Sequence, residues 1–117
     1  MAKIHRVIPG ADTDLSWVYT ADDDEGQLRT GETIASVDSV NVYDADGNEV
    51  EGVFAETPAP SVDGLTVTAR CKPAVATFTA DATLYEEVLV TTSTGRSGVP
   101  WLDRRGERPR LWINARP

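Results

Sequence analysis

At 117 residues the chain has room for one domain (1–117) with its own core and none for two of ordinary size. Hydrophobic content of 40% beside 26% charged residues belongs to a folded chain, and no run approaches the roughly 18 apolar residues that a membrane helix needs. A net charge of −8 sets the protein against polyanions, which argues against DNA or RNA as the partner.

The opening MAKIHRVIPG carries no apolar core of a secretion signal, so synthesis and assembly are expected in a cytoplasm. From there on the chain reads as strands. Runs of Val, Thr, Ile and aromatics, punctuated by Gly, Pro, Asp and Asn, predict strands over 3–8, 14–20, 33–43, 49–55, 64–71, 75–79, 84–92 and 110–115. His5, the one histidine, falls in the first of these and is expected to be a strand or interface residue rather than a general base. Two stretches do not fit a strand: the acidic 21–31, expected as an exposed loop, and the proline- and arginine-rich 97–109, an extended loop before the last strand.

Alternation names the core. Trp17, Val40, Val42, Leu65, Val67, Cys71, Val88, Val90, Leu111 and Ile113 fall at inward positions of their strands. A single cysteine makes no internal disulfide, and Cys71 in LTVTARC reads as a small buried thiol. Several short strands with turn chemistry between them predict an all-β fold, a sandwich or a small barrel. DATLY at 81–85 has the look of a tyrosine corner, but an inward Tyr85 would carry Glu87 inward with it.

The catalytic inventory is poor: no nucleophile elbow, no metal-ligand spacing and no phosphate-cradling loop. Carboxylates cluster in loops rather than between apolar strand residues, where burial would tune them. YDADGNEVEG opens like a calcium loop, yet Ala55 stands where the bidentate Glu belongs. Asp46-Gly47 is better explained as a hairpin turn in which that pair takes positive φ. No enzyme activity, metal or cofactor is expected.

Charge is segregated along the chain. Residues 12–63 hold fourteen Asp or Glu against Arg29 alone, a net of −13, while 96–117 hold six Arg against Asp103 and Glu107, a net of +4. Trp101, Arg104, Arg105, Arg108 and Arg110 therefore form a candidate docking arm for an acidic protein surface, since Arg and Trp are enriched at interface centres. The opposing expectation is that the tail lies back on its own domain.

Two stretches carry a resemblance. DLSWVYTADDDEGQLRTGETIASVDSVNV, with its G-E-T-I-x-S segment, and YEEVLVTTSTGR, with its T-T-x-x-G-R segment, resemble the beginning and the end of small immunoglobulin-like structural proteins of tailed bacteriophages, adaptors or connectors of tail, neck and fibre. The resemblance implies an all-β, immunoglobulin-like antiparallel β-sandwich and a non-enzymatic virion component that binds other virion proteins and forms a homo-oligomer in a symmetric assembly. It departs from that pattern where SGVPWLDRRGERPR intervenes before the last strand. A carbohydrate- or surface-binding module with Trp101 as its platform, and a capsid decoration protein, are the alternatives.

Overall fold

The computed structural model describes residues 3–24, 26–103 and 105–115; Glu25, Arg104 and Arg116, all counted above, lie outside them. Eight strands follow in order: β1 (Ile4–Val7), β2 (Thr13–Val18), β3 (Ile34–Tyr43), β4 (Ser61–Asp63), β5 (Thr66–Cys71), β6 (Ala82–Thr92), β7 (Val99–Pro100) and β8 (Arg110–Ile113). They form two sheets, β1-β8-β6-β3 with β7 beside β6, and β2-β5-β4. The second sheet has the B-E-D order of an immunoglobulin domain and β3, β6 and β8 supply its C-F-G, so the fold is an immunoglobulin-like β-sandwich. Between the named strands pairing is antiparallel except for β1 and β8, which run parallel.

The core lies between the sheets because every long strand turns alternate residues inward. Leu15, Trp17 and Tyr19 alternate along β2 and just beyond it, Val67, Ala69 and Cys71 along β5, and Leu84, Glu86, Val88 and Val90 along β6, all buried. Val42, Leu111 and Ile113 complete the wall. Val40 and Leu65, placed in the core by alternation, are only partly buried and pack on its margin. β3 slips register twice, between Ile34 and Ser36 and between Val37 and Ser39, which breaks strict alternation along that strand.

One inward position on β6 is not apolar. The Glu86 carboxylate is fully buried; its Oε1 accepts the Trp17 indole N–H at 2.8 Å, and His5 Nδ1 lies 2.8 Å from Oε2. His5 packs edge-on against the Trp17 ring with centroids 5.3 Å apart. Three residues from β1, β2 and β6 are thus joined inside the sandwich. This corrects the expectation that carboxylates keep to the loops: Glu86 sits between Leu84 and Val88 on the inner face, where an unpaired carboxylate is not tolerated and a hydrogen-bonded one is.

Other expectations also fail locally. The stretch 49–55 is no strand but touches its neighbours through isolated bridges, Tyr43 with Glu49 and Phe54 with Cys71, because Gly52 takes a φ of 78° and ends the extended run. The stretch 75–79 is a turn in which the Ala74 carbonyl accepts N–H groups from both Thr77 and Phe78. β4 and β7 were not expected. Tyr85 is not a tyrosine corner, since the inward parity of β6 belongs to Leu84 and Glu86 and turns Tyr85 outward. At the hairpin after β3 only Gly47 has positive φ; Asp46 does not, because Asp44 Oδ1 holds the turn by accepting the N–H groups of Asp46 and Asn48.

Replacing Glu86 with Ala leaves the buried Trp17 N–H without its acceptor and His5 without its partner. The expected loss is about 3 kcal/mol in urea unfolding, with a smaller loss for Glu86→Gln, which keeps a carbonyl oxygen at the same place.

Candidate functional site

Two structured regions flank the sandwich, and the sequence motifs converge in the first. Glu32 of GETI, on the loop before β3, is buried, and Arg96 of TTSTGR grips it with two bonds, Nη2 to Oε1 at 2.5 Å and Nε to Oε2 at 3.1 Å. The Thr94 hydroxyl and the Arg29 N–H donate to the same carboxylate. Hydrogen bonding, first from Arg96, then from Thr94, holds the Glu32 carboxyl well below the usual carboxylate range. The segments GETIAS and TTSTGR are therefore two halves of one clasp.

Loop 21–31 is ordered by its own bonds rather than left as a free acidic loop. Leu28 is buried, Asp22 Oδ1 accepts Asp24 N–H, Asp23 Oδ1 accepts Thr30 N–H, and Gln27 Oε1 accepts Thr20 N–H. A side chain at Gly26 would collide with the Thr20 carbonyl at 2.3 Å. From this loop Gln27 Nε2 reaches the Leu102 carbonyl at 2.6 Å, so the two long excursions meet. Between them lies a cleft of about 600 Å³ lined by Gln27, Arg96, Ser97, Leu102 and Asp103 with three glycines.

The excursion before the last strand interrupts what would be one continuous partner of β6. Val99 and Pro100 pair with Val90 and Leu89, Trp101 N–H donates to the Val88 carbonyl, and pairing resumes when Glu86 N–H donates to Pro109. Trp101 does not project as a free anchor or platform. Its indole N–H donates to the Val18 carbonyl of the opposite sheet at 2.8 Å and its ring packs on the core margin, so it closes the side of the sandwich. Tyr19 does similar work from just beyond β2, donating to the carbonyls of Val88 and Val99, and burial raises its phenol well above the ordinary range.

The docking arm is thus divided. Arg105 is exposed on a turn held by Asp103, whose Oδ1 accepts the N–H groups of Arg105 and Glu107; Arg104 lies outside the described residues. Arg108 and Arg110 stand instead on the outer face of the β1-β8-β6-β3 sheet, together with residues that the linear reading did not connect. The Arg110 guanidinium lies over the Tyr85 ring at 5.7 Å, Arg108 over Tyr43 at 5.9 Å, and Arg6 over Trp112 at 4.8 Å. Register explains the pattern: Ile4, Arg110, Tyr85 and Tyr43 form one cross-strand row, and Arg6, Trp112 and Thr83 the next. Arg108 also reaches Glu87 at 3.4 Å, and Glu87 accepts the Tyr43 hydroxyl.

Stacking occupies one face of a guanidinium and leaves its N–H edge free for carboxylates. Each pair is worth about 0.5–1 kcal/mol at an exposed site, enough to orient the arginine but little for stability. The signal in the sequence was parity: Arg110 and Trp112 alternate with the buried Leu111 and Ile113, but nothing linear brings Arg6 beside Trp112.

Among the described residues no three His, Cys, Asp or Glu side chains gather as metal ligands. Cys71 is buried, and burial, reinforced by the Glu86 charge, pushes its thiol up to about 12.

No known protein family matches the sequence, and no curated protein matches it. A solved structure described as "GspB Siglec domain" superposes with a TM-score of 0.47 at 16% identity, covering 97% of this chain and 55% of that one. The chain thus spans about half the length of that structure, and nothing about ligand or partner passes across such a likeness.

Two outcomes are expected. Because the Glu32 carboxyl is lowered in the folded state, its clasp contributes above the unfolded value of about 4.3 and is lost as pH falls through the folded value. Glu32→Gln should then lower the thermal midpoint at pH 7, and its deficit against the wild type should shrink as pH drops below about 4. Cys71 should resist a thiol-specific reagent at pH 8 in the folded protein and react fully in denaturant, as thiolate is scarce and access closed.

Proposed function

We propose that this domain is a non-enzymatic adhesion module that holds an acidic protein neighbour through the arginine–aromatic face of its β1-β8-β6-β3 sheet. The observation that carries this reading is the stack of Arg6, Arg108 and Arg110 on Trp112, Tyr43 and Tyr85, outward on a chain whose net charge is −8. Aromatic and arginine side chains held rigid on a sheet lose little freedom on docking, which favours recognition of protein carboxylates. An extended polyanion would meet the acidic remainder of the molecule within a Debye length of about 8 Å. The setting suggested by GETIAS and YEEVLVTTSTGR is the virion of a tailed phage, as an adaptor or connector in tail, neck or fibre.

A second reading, a carbohydrate- or surface-binding module, has one observation in its favour, the cleft of about 600 Å³ between the two long loops. Trp101 does not serve it as a platform, being turned against Val18.

Mass spectrometry of particles purified from cells carrying the gene tests the virion setting: the chain should be present in many copies per particle. The double variant Arg6→Glu, Arg110→Glu loses two stacked pairs, so it should still fold, with a thermal midpoint lowered by no more than about 10 °C, and fail to enter the particle. Particles lacking the wild-type chain would overturn the setting; full entry of the variant would overturn the face.

A further inference from the structure

Charge on the arginine–aromatic face is graded from one edge to the other. At the β1 and β8 side stand Arg6 and Arg110, neither in an ion pair among the described residues. At the opposite edge Tyr43 pairs with Glu49 in an isolated antiparallel bridge, and Val50 N–H donates to the Val42 carbonyl. Residues paired across antiparallel strands point to the same side, so Glu49 shares the outer face with Tyr43, and Glu51 has the same parity. Burial raises the Tyr43 phenol, and the charges of Glu87 and Glu49 beside it add to that rise.

Segment 44–56 holds Asp44, Asp46, Glu49, Glu51 and Glu56 with no Lys or Arg. It lines a groove of about 490 Å³ together with β3, to which it contributes Glu49, Val50, Glu51, Phe54 and Glu56. Apart from Arg108, which lies over Tyr43 and pairs with Glu87, the face runs from arginine, across tyrosine, to glutamate, its end charges in no ion pair among the described residues. Three inter-strand spacings of about 4.8 Å separate β1 from β3, about 14 Å in all. That exceeds the Debye length of about 8 Å at physiological salt, so the two ends do not neutralise each other.

Resting on the adhesion reading, we propose that the acidic neighbour is a second copy of this chain, docked face to face about a two-fold axis. Arg6 and Arg110 of each copy then meet Glu49 and Glu51 of the other. A two-fold axis turns the gradient end for end, so both contacts form at once from one surface. Tyr85 and Tyr43 come to the middle of the contact, where aromatic side chains are desolvated and arginine edges remain free for the partner's carboxylates. Contact through charge predicts salt sensitivity.

The test is the mass of the intact chain by light scattering behind a sizing column, with about 0.1 M and about 0.5 M salt. The wild type is expected to run as a discrete dimer of the 12.7 kDa chain at the lower salt and to shift at least tenfold toward monomer at the higher. Arg6→Glu with Arg110→Glu should be monomeric, as should Glu49→Lys with Glu51→Lys; mixed in equal amounts they should form a heterodimer, since each supplies the charge the other lost. That rescue also shows that both variants are folded. A monomeric wild type at both salts, growth beyond a dimer, or a mixture that stays monomeric would overturn the proposal. None of these results alters whether the chain enters particles, so the adhesion reading stands or falls separately.

Discussion

The sandwich is organised around one buried carboxylate. Glu86 sits at the middle of the longest strand, on the inner face, and an ion there survives only if its oxygens find donors. Trp17 from the other sheet and His5 from the edge strand meet that need. The consequence is positional. Fixing Trp17 sets how β2 lies over β6, and fixing His5 inward sets the parity of β1, which turns Arg6 outward onto Trp112. An apolar residue at 86 would bury as well but would not specify which strands stand opposite.

A second polar lock governs the loops. Glu32 and Arg96 are far apart in sequence, and each would be a poor choice for its own segment: a buried acid on a loop, a half-buried arginine on a turn. Joined, they close one end of the sandwich and hold loop 21–31 against the excursion that follows β7. Asp38 strengthens the same end by accepting Thr91 Oγ1 and Gly98 N–H. That end is closed by polar bonds and the side by Trp101, while the arginine–aromatic rows stand on the outer face of the five-stranded sheet.

Much of the architecture was legible in alternation. Trp17, Val42, Val67, Cys71, Val88, Val90, Leu111 and Ile113 are buried because strand period and apolar period coincide there. Alternation misled where backbone intervened: Gly52 cut the apparent strand at 49–55, and a turn consumed 75–79. At Glu86 the same period, inward between Leu84 and Val88, places an acid in the core. The arginine-rich tail was conspicuous in composition, but composition does not say which way a side chain faces. Trp101 went inward because a large ring with an N–H donor gains more from the Val18 carbonyl and the open side of the sandwich than from water.

The amino-acid sequence by itself determined the class of fold, most of the core and the separation of acidic from basic segments, since these follow from local period and composition. Only the tertiary structure decided which distant residues became partners: His5 and Trp17 with Glu86, Glu32 with Arg96, Arg6 with Trp112, Arg110 with Tyr85. The reason is that ion pairs and stacked arginines depend on register and strand order across the sheets. A one-residue slip would exchange the two faces, burying the arginines and exposing the core while leaving every local preference unchanged.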